Sequence, residues 1–219
     1  MLKSRLCIAF FAFAVGCAPA QKPLTDYVNP MLGTATLWDS VDLGFKPTKR
    51  TWGAEVFPGS SLPNAMVQVS PVTKFHSGAG YQYEDSVIYG FTHTNKGHWN
   101  LCHIPLLPVT GTPTPGDYCS PFSHERESAA PGYYQVFLDR YGVDAQLSST
   151  LRCAFHKYTY PAGAAPAVLA DLQRSNEHVR AWDIRKEGDN VFAGWQQTGE
   201  KMYFYAVANR PVTGIEPVS

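Results

Sequence analysis

The stretch from residue 131 to residue 160 reads PGYYQVFLDRYGVDAQLSSTLRCAFHKYTY, and its punctuation decides the fold class. A Pro131-Gly132 turn opens residues 133–138, Gly142 opens residues 143–150, and residues 152–160 carry Phe155, Tyr158 and Tyr160. Each run is short and rich in the aromatic and β-branched residues that suit a pleated, half-buried surface. The same grammar continues on both sides. Downstream, residues 167–172, 179–185, 191–197 and 202–208 read as strands. Glu187-Gly188-Asp189-Asn190 and Thr198-Gly199-Glu200 read as hairpin turns. Upstream, residues 65–72 alternate Met66, Gln68 and Ser70 against Val67 and Val69, and residues 81–91 form an aromatic strand-like run. Residues 104–109 are apolar, but Pro105 and Pro108 mark them as an edge strand or a bulge. No segment after the leader sustains a helical period, and residues 124–130 amount to one helical turn. Short strands between closely spaced turns predict an all-β sandwich.

Composition supports this reading and narrows the function. With 44% hydrophobic and 16% charged residues, the chain can build a core and is not a disordered tail. Lys plus Arg and Asp plus Glu are 18 each, so there is no basic field for a nucleic-acid backbone and no nucleic-acid partner is expected. Twelve Tyr, twelve Phe and five Trp suit a β core, and such rings also stack on the apolar faces of sugars.

The first residues form an address. Lys3 and Arg5 precede an uncharged apolar run over residues 6–15, too short to span a bilayer but suited to a signal-peptide core. Ala14-Val15-Gly16-Cys17 then resembles a bacterial lipobox, which makes Cys17 the lipidation candidate. The competing reading is ordinary secretion with cleavage after Ala18-Pro19-Ala20. Both export the chain, either as an outer-membrane or periplasmic lipoprotein held to the membrane by its lipid alone or as a secreted protein. Three later cysteines, Cys102, Cys119 and Cys153, make no disulfide framework; one disulfide or three thiols are both open.

The densest chemistry lies in Phe91-Thr92-His93-Thr94-Asn95-Lys96-Gly97-His98-Trp99-Asn100-Leu101-Cys102-His103. His93, Asn95 and His98 supply hydrogen bonds to hydroxyls and Trp99 a stacking face, the pattern of a binding loop. His93, His98 and His103 recur every five residues, which matches neither one strand face nor one helix face, so no metal is assigned. A second candidate loop holds Trp52 and Glu55 between Arg50 and Phe57-Pro58-Gly59. The carboxylates offer no catalytic pair. Glu84-Asp85 sit in the strand-like run, where neighbours face opposite ways, and Glu125 and Glu127 with His124 and Arg126 read as a solvated or salt-bridged surface. No nucleophile elbow, metalloprotease, phosphate-loop or dinucleotide motif occurs, and no catalytic residue is named.

Five blocks resemble, in order, the N-terminal domain of glycoside hydrolase family 92, a family of α-mannosidases. They are residues 27–34 (Tyr27-Val28-Asn29-Pro30-Met31-Leu32-Gly33-Thr34), residues 57–71 around Pro63-Asn64-Ala65-Met66-Val67-Gln68, residues 77–94, residues 123–134 with Ser123-His124-Glu125-Arg126-Glu127, and residues 147–172. The resemblance implies a β-supersandwich similar to galactose mutarotase, packed on a following (α/α)6 barrel. That barrel holds the catalytic carboxylates and a calcium ion, and none of it lies in these residues. It also implies that the Trp52–Pro58 and His93–Trp99 loops form one wall of a sugar pocket for mannose-containing glycans. Both loops depart from the family pattern, and Phe75-His76 stand where the family often has Trp, so linkage specificity is open.

The chain therefore divides into a leader (1–16), a tether (17–25), a β-sandwich carbohydrate-binding domain (26–210) and the start of a linker (211–219). Two other readings remain. One is a stand-alone surface glycan-binding module. The other is an aldose-epimerase-like enzyme, which would need His93 or His98 to converge with Glu55.

Overall fold

The computed structural model describes residues 21–36, 56–96 and 99–218. Cys17 and the leader, Trp38, Trp52, Glu55 and His98 lie outside the described residues. Among the described residues, a 3-10 turn, Leu24–Tyr27, precedes the strands. In chain order these are β1 (Ser60–Ser61), β2 (Gln68–Val72), β3 (Val87–Ile88), β4 (Gly90–Thr92), β5 (Asn95–Lys96) and β6 (Trp99–Asn100). There follow β7 (Leu106–Thr110), β8 (Ser120–Pro121), β9 (Glu127–Ala130), β10 (Tyr133–Leu138), β11 (Val143–Ser149) and β12 (Ala154–Thr159). The last four are β13 (Pro166–Ala170), β14 (Ala181–Gly188), β15 (Val191–Gln197) and β16 (Lys201–Val207). The fold is all-β, as the turn spacing predicts.

Three antiparallel sheets stack. The middle one runs β1-β2-β4-β7-β13, the second β12-β11-β10-β9 and the third β14-β15-β16. Alternation drives the first contact. Tyr134, Val136 and Leu138 of β10 point inward and pair in register with Leu147, Ala145 and Val143 of β11. They meet Val69, Phe91, Leu107 and Val109 of the middle sheet in one buried cluster. Fully burying one such side chain contributes about 1.5–3 kcal/mol. Because side chains alternate, Leu106 points the other way from Leu107. It joins Ile104 and Leu172 in a second cluster, which Ile184, Met202 and Phe204 of the third sheet cover.

Three expectations need correction. Residues 104–109 do not form an edge strand, because β7 lies between β4 and β13. β4 reaches β7 only at Phe91–Leu106, so beyond Leu106 one side of β7 carries no β4 partner, and Pro108 withholds no hydrogen from that side. Residues 81–91 are not one strand: Tyr83 and Glu84 form a turn and only Val87–Ile88 and Gly90–Thr92 pair. Residues 124–130 are a 3-10 turn over His124–Arg126 and then β9. There Arg126 does pair with Asp139 at the surface, but the Glu127 side chain is fully buried. It accepts from the hydroxyls of Tyr81 at 3.0 Å and Tyr134 at 2.6 Å, and His124 Nδ1 lies 2.5 Å away. A buried carboxylate survives only with such partners, and burial beside Glu127 holds both tyrosines well above their ordinary titration range, as donors. Cys102, Cys119 and Cys153 are free thiols.

Candidate functional site

Between β4 and β7 the chain holds the short β5–β6 pair and is otherwise irregular, fixed by side chains. Cys102 and Ile104 both hold left-handed backbone angles, φ 52° and 53°. For a β-branched residue that conformation is an outlier, and it persists only where the surroundings impose it. Here they do. Asn100 Oδ1 accepts from the Cys102 N–H at 2.7 Å, and Gln196 Oε1, from β15, accepts from the Ile104 N–H at 2.9 Å. Gln196 in turn donates to the carbonyls of Leu172 and Arg174.

The two described histidines of this loop, His93 and His103, face inward. His93 Nδ1 lies 3.0 Å from the Ile104 carbonyl, and its Nε2 lies 2.9 Å from Nε2 of His156 on β12. A carbonyl only accepts, so His93 carries its proton on Nδ1. Burial lowers the pKa of His93 to about 4 and holds His156 well below the usual range, so both are neutral at physiological pH. His156 Nε2–H therefore donates to His93, and the Tyr158 hydroxyl, 2.7 Å from His156 Nδ1, donates to it in turn. His103 is buried on the other side. Thr198 donates to Glu177 Oε2 at 2.6 Å, so the Thr198 oxygen accepts from His103 Nε2–H at 3.0 Å. Burial lowers the His103 pKa, and the Thr198 hydroxyl and the Gly199 N–H lower that of Glu177.

Next to this loop is an open cleft of about 640 Å³. Its rim comes from Lys74, Phe75 and His76 on one side and Glu84 and Asp85 on another, with Tyr89 and Arg174 between. The guanidinium of Arg174 lies 5.7 Å from the Phe75 ring centre and 5.8 Å from that of Tyr89, within cation–π range. Asp85 accepts from the Thr73 hydroxyl at 2.8 Å, and Glu84 accepts from the backbone N–H of Thr36 at 2.7 Å. Since residues 83–84 turn, Glu84 and Asp85 line one cleft instead of facing opposite ways, a correction to the strand reading. His76 also has a left-handed backbone, φ 60°.

One side chain ties cleft and loop together. Asn176 Oδ1 accepts from the His76 N–H at 2.6 Å, while its Nδ2 donates to the carbonyls of Ser77 and Asn100. Its own N–H reaches the Leu101 carbonyl at 3.1 Å. Asn176, His156 and Gln196 escaped the sequence reading because each acts across a long chain separation. The only local signal is the polar run Ser175-Asn176-Glu177-His178 after an apolar strand.

The predicted residues divide accordingly. His93 has both ring nitrogens engaged inside the protein, so it orients the loop and offers no nitrogen to a ligand. Asn95 donates to the Gln68 carbonyl at 3.3 Å, and its Oδ1 and Gln68 Oε1 are both buried without a hydrogen-bond partner among the described residues. Trp99 stands at the start of β6, opposite Lys96 and 45% exposed. The approach of Glu55 to His93 or His98 that an epimerase reading requires involves residues outside the described set. Among the described residues, no three His, Cys, Asp or Glu side chains are grouped so that they could hold a metal ion.

The architecture is a layered β-sandwich domain with a polar and aromatic cleft beside loops that hydrogen bonds hold in left-handed form. Residues 27–218 match the glycosyl hydrolase family 92 N-terminal domain, and the chain belongs to that family. Its fold superposes on a family 92 alpha-mannosidase of Bacteroides thetaiotaomicron, solved free and with mannoimidazole, at TM-score 0.75 and 27% identity. That match covers 88% of this chain and 26% of the mannosidase. The family 92 glycosyl hydrolase ccman5 matches at TM-score 0.63 and 25% identity over 83% of this chain and 25% of that one. An inverting mannosidase from B. thetaiotaomicron VPI-5482 shares the fold at TM-score 0.62 and 24% identity over 80% of this chain and 23% of its own. The chain thus spans about a quarter of the length of the solved relatives it matches. No curated protein matches it.

Proposed function

We propose that this domain forms one wall of a sugar-binding site for mannose-containing glycans and works with a C-terminal (α/α)6 catalytic domain that carries the acid, the base and the calcium. The observation that carries the reading is the Asn176 bridge, which holds the Trp99 loop and the Phe75-His76 rim as one preorganised surface. Preorganisation lowers the ordering cost of binding. Trp99 and Phe75 offer ring faces, while Asn95, Lys74 and the carboxylates of Glu84 and Asp85 offer hydroxyl partners. Trp52, Glu55 and His98, outside the described residues, are added to the sugar contacts on the resemblance alone. The domain by itself binds and does not hydrolyse, since no carboxylate pair is assigned to acid–base work. Cys17 anchors the exported chain through its lipid.

The test is a titration of the 219-residue chain with mannose-containing oligosaccharides, calcium present, followed by calorimetry and by product analysis. We expect weak binding without turnover, and Trp99→Ala and Asn95→Ala should each weaken it about tenfold, the scale of one lost contact of about 1–2 kcal/mol. Unchanged affinity in both variants would remove the site assignment. Turnover would reopen the self-contained enzyme. Binding of a glycan that the joined domains fail to cleave would favour the stand-alone module.

A further inference from the structure

His124, in the 3-10 turn before β9, stands between two acceptors. Its Nδ1 lies 2.5 Å from Glu127 Oε2, and its Nε2 lies 2.7 Å from the Tyr83 carbonyl oxygen. A carbonyl oxygen only accepts, so Nε2 carries a proton. The Glu127 side chain is fully buried and already accepts from the Tyr81 and Tyr134 hydroxyls. A second proton must lie between Oε2 and Nδ1, because two lone pairs at that distance repel. The geometry is that of an imidazolium donating from both nitrogens. The Tyr83 ring fits that charge: it lies flat on the imidazole, centres 3.9 Å apart and planes 4° apart, the placement in which a ring face steadies a cation. Phe122 adds an uncharged edge at 5.3 Å. Of the other charged groups nearby, Asp85 acts on Tyr81 from the cleft side, Glu125 is exposed, and Arg126 is paired with Asp139.

The Tyr83 carbonyl belongs to the turn that brings Glu84 and Asp85 to the cleft. We infer that His124 is a positioning residue for that carboxylate wall, a lock on the turn that closes with one proton and opens when the proton leaves. The reason is a competition between acceptors. A neutral imidazole has one N–H and can serve only one of them. Glu127 holds it more strongly, since a charge-assisted bond outlasts a neutral one and a buried carboxylate short of a partner is costly. The remaining proton stays on Nδ1, and Nε2 then turns a lone pair on the Tyr83 carbonyl. That contact breaks, and the turn loses its tie to the segment that leads into the second sheet. Other bonds remain: Tyr83 N–H to the Thr34 carbonyl at 3.1 Å, Phe122 N–H to the Ser86 carbonyl at 3.2 Å, and the Thr73 hydroxyl to Asp85. The turn therefore loosens without the domain unfolding. The lock is closed at lower pH and opens as the pH rises. Its effect on glycan binding rests on the sugar site proposed above; the lock itself does not.

The experiment is nitrogen NMR of the 219-residue chain labelled at its histidines, with hydrogen exchange and oligosaccharide titration over the same pH series. At neutral pH both His124 nitrogens should carry a proton. On raising the pH, Nε2 should lose its proton while Nδ1 keeps one. Protection of the Tyr83 and Asp85 amides should fall about tenfold in step with that loss, the scale of one hydrogen bond, and glycan affinity should fall with it. His124→Asn sets one N–H where Nδ1 stands, so it should keep Glu127 paired and show the open turn at every pH. His124→Gln reaches instead towards Tyr83 and should hold the turn closed at every pH, with a lower thermal midpoint because Glu127 loses a partner. One proton on the His124 ring at neutral pH would overturn the inference, as would Tyr83 and Asp85 protection that ignores the Nε2 proton. Protection that follows the proton at unchanged glycan affinity would uphold the lock and remove Glu84 and Asp85 from the sugar contacts. Absence of glycan binding at any pH would overturn the sugar site alone, because the NMR and exchange readouts need no sugar.

Discussion

At the residue scale, the Ile104 carbonyl governs three side chains. It fixes the proton of His93 on Nδ1, which makes His156 the donor and Tyr158 the donor behind it. A pH dependence follows. His93 has a pKa of about 4 in the folded chain and about 6.5 when unfolded. Above about 6.5 both states are unprotonated and nothing is lost. Below it the unfolded chain takes up a proton that the folded chain refuses, so stability falls as the pH drops towards 4 and levels off beneath it. His156 acts in the same direction. Thermal unfolding from pH 7.5 to pH 4 should therefore show a falling midpoint, with a shallower fall in His93→Gln. An equally steep fall in that variant would show that the histidine is not shielded as the structure has it.

At the element scale, the loops between strands store strain beside the cleft. His76, Cys102 and Ile104 are non-glycine residues in left-handed conformation, and the Asn176, Asn100 and Gln196 amides hold them there. Strain of this sort is stable only when neighbours over-determine it. His76→Gly should relieve it, raising stability by about 1 kcal/mol, while removing the imidazole from the cleft rim and weakening glycan binding. Calorimetric unfolding and the oligosaccharide titration together read this trade. Asn176→Ala should do the reverse, losing about 1 kcal/mol as exposed and part-buried backbone groups lose their partner and loosening both loops in hydrogen exchange. An Asn176→Ala variant with unchanged exchange at residues 75–78 and 99–101 would show that the bridge does not join them.

At the scale of the molecule, stability rests on the contact between the second and middle sheets. Leu147, 1% exposed and paired with Tyr134, sits in the centre of that cluster. Leu147→Ala should cost about 2–5 kcal/mol, through lost burial and the cavity left behind, measured as a lower denaturant midpoint at unchanged slope. A marginal domain stands only ~5–15 kcal/mol above unfolding, so this one change is a large share of the whole.

The sequence by itself determined the strands that alternate and the turns that separate them. Tyr133–Leu138 and Val191–Gln197 stand where the pattern puts them, because a two-residue period and a Gly or Pro stop are local properties. The ordered blocks from Tyr27 to Leu172 also determined the family. Only the tertiary structure decided what those residues face. Pro108 reads as an edge residue but lies in β7, next to the middle of its sheet, because β4 stops short of it. Glu127 reads as surface but is buried, because Tyr81 and Tyr134 arrive from other strands with the hydroxyls it needs. His93 reads as a ligand contact but turns inward, because His156 and Ile104 occupy its nitrogens. In each case the deciding partner comes from another strand or loop. A pattern along one strand fixes which side chains share a face, and only packing fixes what that face meets.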